Sequence, residues 1–136
     1  MSYAFEELEV GDTIKKALAR AKITNTVHLI EKCGTAKARA EISAVTGLDV
    51  EVLRRLACAA DMLRVETLGP GSVRLLQAAG VESLKVLRKQ NAEALAQKLK
   101  DTNDKAKPQI VKRLPKPVNL VAWIEDAKTR QAAVTC

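Results

Sequence analysis

Shifted by 58 residues, this chain lies over itself, and that self-similarity limits its folds more than any other feature of the sequence. The run "EVGDTIKKALARAKI" at 9–23 falls on "TLGPGSVRLLQAAGV" at 67–81. Gly11 meets Gly69, Lys16 meets Arg74, Leu18 meets Leu76, Ala21 meets Ala79 and Ile23 meets Val81. Continued without a gap, Leu29 falls on Leu87. Each copy reads as turn, helix, turn, short helix, so a duplicated helical hairpin unit is expected. At 136 residues the chain has the length of one ordinary domain, or of two small units packed as one.

Breakers and apolar spacing place the helices. Asp12 or Thr13 can cap a helix whose face is Ile14, Ala17, Leu18 and Ala21. Thr24 can cap a short helix carrying Val27, Leu29 and Ile30, ended by Gly34. Thr35 opens "TAKARAEISAVTG", closed by Gly47 at the position helices favour for a left-handed cap. Asp49 caps a longer helix with a stripe of Val52, Leu56, Ala59 and Leu63. Gly80 ends the helix after the second turn, "VESLKVLRKQ" gives another short one, and Asn91 caps "AEALAQKL". The polar run "DTNDKAKPQIVKRLPKP", with three prolines, reads mainly as a loop. Pro117 suits the first turn of a last helix that buries Leu120, Trp123, Ile124 and Ala127. The last residues, "QAAVTC", read as a loose end. The only aromatic residues are Tyr3, Phe5 and Trp123, so the core must be aliphatic. The expected organisation is a first hairpin unit with its following helices at 1–64, a second with a basic loop and C-terminal helix at 65–130, and a tail at 131–136.

Charge is uneven. Residues 1–64 hold 10 basic and 9 acidic side chains, and residues 65–136 hold 13 and 7. Ten of those bases lie within 84–116, among them Lys85, Arg88 and Lys89. A polyanion is one natural partner for such a segment, and a solubilising lysine-rich face is the other reading. No apolar run approaches the ~18–20 residues of a membrane span. The start "MSYAFEELEV" lacks the basic-then-apolar pattern of a signal peptide. The cysteines Cys33, Cys58 and Cys136 are odd in number and form no Cys-x-x-Cys, which argues against a disulfide framework. Cys33 and Cys58 read as small apolar residues, and Cys136 as an exposed thiol on a frayed tail. A cytoplasmic protein is expected.

The stretch "VETLGPGSVRLLQAAGV" at 65–81 decides the functional reading. In a helix-hairpin-helix the turn runs small–hydrophobic–Gly and a helix begins at once. Glycines there permit positive φ and close approach of the main chain. The helix presents free N–H groups and its positive dipole end, where a phosphate oxygen can sit. Gly69 stands at the second glycine, Leu68 is the apolar plug, and Gly71, Ser72 and Arg74 lie just inside the helix. Val73, Leu75 and Leu76 anchor that helix in the core.

The run "ADMLRVETLGPGSVRLLQAAGVESLKVLRKQNAEALAQKL", with "VKRLPKPVNLVAWIEDAK", resembles the bacterial family known as domain of unknown function 4332. The earlier "LIEKCGTAKARAEISAVTGL" and "FEELEVGDTIKKALARAKI" are similar to its first half, so the likeness covers nearly the whole chain. The resemblance implies an all-α fold of two pseudo-repeated helix-hairpin-helix units packed into one compact helical domain, and no known activity. The sequence departs from the motif at Thr67 and Glu9, which replace the first glycine, at Pro70, which removes a donor, and at Asp12, which follows Gly11. Carboxylates at Glu9 and Asp12 repel a phosphate, so the first hairpin reads as structural and the second as the candidate site.

Nothing points to catalysis, a cofactor or a metal. His28 is the single histidine and reads as structural, the acids are scattered, and "GPGS" lacks the Lys-Ser/Thr of a phosphate loop. Lys37, Arg39 and Glu41 read as a solvated helix face. Two functions stay open. The first is a non-enzymatic module making weak, sequence-independent contact with a nucleic-acid backbone through Leu68, Gly69, Gly71, Ser72, Arg74, Lys85, Arg88 and Lys89. The second is a protein-interaction adaptor or self-associating scaffold whose hairpins only hold structure. Base stacking is not expected, for want of exposed aromatic residues.

Overall fold

The computed structural model describes residues 5–136, with only the backbone of Glu6 and Glu7, so Tyr3 lies outside the described residues. Among them are a 3-10 turn at Phe5–Leu8 and eight α-helices: α1 Asp12–Arg20, α2 Thr26–Cys33, α3 Ala36–Thr46, α4 Val50–Met62, α5 Pro70–Ala78, α6 Leu84–Leu87, α7 Ala92–Lys105 and α8 Pro117–Thr129. There is no β-strand among the described residues. Contacts gather into two compact units. One is Met1–Asp61 with Ala133–Cys136, and the other is Met62–Ala132.

The expected caps largely form. The side chains of Thr35 and Asn91 accept from the N–H groups of Ala38 and Ala94 at 3.1 Å each. Asp49 accepts from Glu51 N–H at 2.8 Å. Gly47 closes α3 at φ 75°. Pro117 occupies the first turn of α8, and Leu120, Trp123, Ile124 and Ala127 are its buried face. Two starts differ from expectation. α1 is capped by Gly11 without a side-chain bond, because Asp12 and Thr13 are already helical. α2 is capped by Asn25, while Thr24 donates its N–H to His28 Nδ1 at 3.1 Å.

The 58-residue shift is visible in the backbone. Glu9 and Thr67 both take left-handed φ values, 54° and 67°. Gly11 and Gly69 then extend at φ −64° and −88°, and a nine-residue helix follows each. Lys22 and Gly80 are left-handed again at 62° and 92°. Ile23 N–H returns to Leu18 at 3.0 Å, and Val81 N–H returns to Leu76 at 2.9 Å. Asn25 and Ser83 next cap α2 and α6 by accepting from His28 and Val86 N–H.

In the first unit α1 and α2 pack on α3. Phe5, Leu18, Ile23, Leu29, Cys33, Leu53, Ala57, Cys58, Ala60 and Val134 form the core. Of the stripe expected on α4, Ala59 and Leu63 are buried and Val52 and Leu56 are half-buried, while Leu53 and Ala57, outside the stripe, are fully buried. From Ala57 to Leu63 every residue of "ACAADML" is buried, so no single face can be read there. In the second unit α7 packs on α5 and α8, and α6 packs on α8. α7 runs through Lys105, two turns beyond the expected helix, into sequence read as a loop.

The tail is the largest correction. Cys58 and Cys136 form a disulfide with Cα atoms 6.3 Å apart. Val134 is buried in the core of the first unit. Thr135 bonds Gly34 O through both its N–H, at 2.8 Å, and its hydroxyl, at 3.1 Å. Asp61, itself buried, accepts from the N–H groups of Ala133 and Val134 at 3.2–3.3 Å. Arg39 is buried too, donating to Cys33 O at 3.0 Å and to Thr135 O at 2.7 Å, so it is not on the solvated face expected. Buried charges persist when their hydrogen bonds are met, and backbone groups of the tail meet these. Only Cys33 is a free thiol, and burial pushes its pKa up. A disulfide across 78 residues also withdraws the cysteine argument for a reducing compartment.

Closing a loop of this size stabilises a domain by about 2–4 kcal/mol. Cys136→Ser is expected to lower the melting temperature, and a dithiol is expected to lower that of the parent while leaving the variant unmoved. Thermal melts of both proteins with and without dithiol check this.

Candidate functional site

The turn before α5 is built by α8. Thr67 is β-branched and left-handed, a conformation that costs roughly 1–2 kcal/mol. Its hydroxyl accepts from the indole N–H of Trp123 at 3.0 Å, and Trp123 is buried. One turn along α8, Asp126 accepts from the N–H of Glu66 and from Arg130 at 2.7 and 3.1 Å. The Arg130 guanidinium, with the Glu66 N–H helping, holds the Asp126 carboxyl below its ordinary range. Two consecutive turn residues are therefore tied to one helix. Leu68 is buried as the expected apolar plug.

At the start of α5 the geometry revises the role of glycine. The left-handed residue is Thr67, and Gly69 is extended at φ −88°. A Cβ added at Gly69 meets nothing within 4 Å, so the space at its side-chain position is open. Pro70 brings no donor, and Val73 N–H bonds Gly69 O at 3.0 Å. That leaves the N–H groups of Gly71 and Ser72 without an acceptor in the helix. The Arg74 guanidinium folds back over this turn: its Nη2 lies 3.8 Å from a Cβ built on Gly71. No acidic residue occupies the first turn. Gly11 is equally open, but Asp12 sits in the first turn of α1 and Glu9 is exposed ahead of it.

Leu68, Gly69, Gly71, Ser72 and Arg74 thus come together. Lys85, Arg88 and Lys89 are exposed on α6 or just after it, and the chain reaches them past Gly80, from the far end of α5. That end already has an ammonium, because Lys98 Nζ lies 3.8 Å from a Cβ built on Gly80, where it complements the helix C-terminus. Lys32 does the same for α1, donating to Ala21 O at 3.0 Å. Lys100 pairs with Asp104 at 3.0 Å, which raises the Lys100 pKa.

Sequence reasoning passed over the neighbour of Gly71. Val111 Cγ1 lies 3.5 Å from the Gly71 Cβ position, which brings the loop after α7 against the start of α5. The buried side chain of Asn103 holds that loop. Its oxygen accepts from the N–H groups of Ile110 and Val111 at 2.9 and 3.0 Å, and its amide donates to Val111 O at 3.0 Å. The only sequence signal for this clamp is an asparagine at a helix position with apolar residues four and eight places earlier.

Elsewhere in the second unit a groove of about 280 Å³ is lined by Glu93, Gln97, Lys100, Leu114, Pro115 and Leu120. Among the described residues, no three of His, Cys, Asp and Glu cluster as metal ligands. No helix among them is long and apolar enough to cross a membrane.

Residues 8–130 match the family described as Domain of unknown function (DUF4332), so the chain belongs to that family. No curated protein and no solved structure matches the chain.

The ties from α8 carry two expectations. Trp123→Ala removes a buried indole and the Thr67 bond together, and is expected to cost about 3–5 kcal/mol in urea unfolding. Asp126 has a lowered folded pKa, so its stabilisation is present above the unfolded value of about 3.9 and is lost as pH falls through the folded value. Asp126→Asn is expected to be less stable at neutral pH and to lose less on acidification, as read from urea midpoints across that range.

Proposed function

We propose that this member of a family without assigned activity is a non-enzymatic helix-hairpin-helix module that makes weak, sequence-blind contact with a nucleic-acid backbone. The two turns 58 residues apart are its paired hairpins, and only the second takes phosphate. The observation that carries this reading is the start of α5, where the Arg74 guanidinium lies 3.8 Å from a Cβ built on Gly71 and a Cβ at Gly69 meets nothing within 4 Å. An approaching phosphate oxygen meets the N–H groups of Gly71 and Ser72, the helix dipole and the Arg74 cation together. At α1 the same backbone carries Asp12 in the first turn, which already satisfies the dipole with a fixed negative charge.

A protein adaptor is the second reading, and one observation favours it. Val118 and Val121 are exposed one turn apart on α8, at 68% and 49%. If this apolar face meets a protein partner, the hairpins serve as scaffold alone.

Glycine-to-alanine pairs separate the two. Both Gly69 and Gly11 have room for a Cβ and negative φ, so either alanine should fold, with stability within about 1 kcal/mol of the parent. Gly69→Ala puts a methyl group where the phosphate approaches and is expected to weaken duplex DNA binding, while Gly11→Ala leaves it unchanged. In fluorescence anisotropy across salt concentrations, log K should fall with log salt as for about 3–5 neutralised phosphates. Arg74→Ala should reduce that slope by ~0.9 for its phosphate, and Lys16→Ala should not. No binding by the parent at low salt leaves the adaptor.

A further inference from the structure

We infer that the loop from Lys105 to Lys116, rather than α6, supplies the cationic half of the polyanion-binding surface, and that Asn103 positions it there. This rests on the nucleic-acid reading above and names the surface that reading lacks. The loop carries Lys105, Lys107, Lys112, Arg113 and Lys116 and holds no acidic residue. All five are exposed, and none makes an ion pair with a described residue. Charges of one sign in that density repel one another, and the loop keeps its shape because the Asn103 side chain accepts from the N–H groups of Ile110 and Val111 and donates to Val111 O.

Two helix starts border the loop. Val111 Cγ1 lies 3.5 Å from a Cβ built on Gly71 in the first turn of α5, and consecutive Cα atoms are about 3.8 Å apart, so Lys112 and Arg113 begin within about 8 Å of the Val111 backbone. Lys116 is itself the N-cap of α8. Neither α5 nor α8 has a side-chain cap bond or an acid in its first turn, and each begins with proline. Cations are thus gathered at two positive dipole ends, where anions are the favourable occupants. A ligand that suits both ends and the cations between them presents a row of negative charges. The backbone of duplex nucleic acid does so at regular spacing, and its contacts need no base-specific side chain.

The test is anisotropy with a short DNA duplex from 50 to 200 mM salt, on the order of the range where such contacts are resolved. A loop variant carries Lys107→Gln, Lys112→Gln, Arg113→Gln and Lys116→Gln, and an α6 variant carries Lys85→Gln, Arg88→Gln and Lys89→Gln. The loop variant is expected to flatten the slope of log K against log salt by about 2–3 and to bind at least roughly tenfold more weakly at the lowest salt, with a smaller effect from the α6 variant. Asn103→Ala keeps every cation. It is expected to lower affinity while the slope stays near that of the parent, with circular dichroism confirming the fold. A loop variant equal to the parent, or an α6 variant that loses more, overturns the inference while an effect of Arg74→Ala keeps the hairpin reading standing. Parent protein that binds no duplex overturns both. Poly-glutamate competing as well as DNA at equal charge concentration assigns the loop to an acidic polypeptide and overturns the duplex.

Discussion

A left-handed residue three positions ahead of a nine-residue helix recurs in both units. Glu9 and Thr67 turn the chain, Gly11 and Gly69 extend it, and the helix starts in a direction that the turn alone decides. Since neither turning residue is glycine, each holds a conformation it would leave if unsupported. In the second unit the support is visible. Trp123 donates to the Thr67 hydroxyl and Asp126 accepts from the Glu66 N–H, so α8 clamps the turn that aims α5. The candidate site therefore depends on a helix that begins fifty residues after Thr67, and loss of the indole should first disturb that turn.

The sequence made local features legible and hid the long-range ones. Thr35, Asn91, Asp49, Gly47 and Pro117 act within a few residues of themselves, and each was readable because a cap is a local contract between a side chain and a nearby N–H or a permitted φ. The buried face of α8 was readable because its apolar spacing is regular. Arg39 and Cys136 were misread for the opposite reason. Their partners lie tens of residues away, and an Arg on a helix or a Cys in a tail has the same appearance whether it is solvated or holds a strap. At the candidate site, the glycines mark the turn but not the residue of positive φ, which is Thr67, supported by a hydrogen bond from Trp123.

Net charge gave less than its placement. The ten bases of 84–116 look like one patch in sequence, yet Lys98 stands near Gly80 at the C-terminal end of α5 and Lys100 is paired with Asp104. These cations complement a helix end or a neighbouring carboxylate, and such exposed pairs contribute little to either stability or binding. What distinguishes the remaining loop cations is that Asn103 fixes the backbone at Ile110 and Val111, and Val111 lies beside the Cβ position of Gly71 in the first turn of α5. The same count of lysines on the far side of α5 would oppose no ligand and attract none to Gly69.

The two turns also show how one backbone can serve two purposes. The φ values of Glu9 and Thr67 and of Gly11 and Gly69 agree in sign and region, so the difference between the turns lies in their side chains and in the donor that Pro70 lacks. Asp12 at the first helix start meets the dipole from within the chain, which makes that turn stable without a ligand. At the second, Pro70 and Gly71 supply neither acid nor cap, and Arg74 adds a positive charge to an already positive end. A helix start with neither an acid nor a side-chain cap suits an anion better than one that already carries a carboxylate. This asymmetry between the two turns is the physical ground on which the proposal puts anion binding at the second and a scaffolding role at the first.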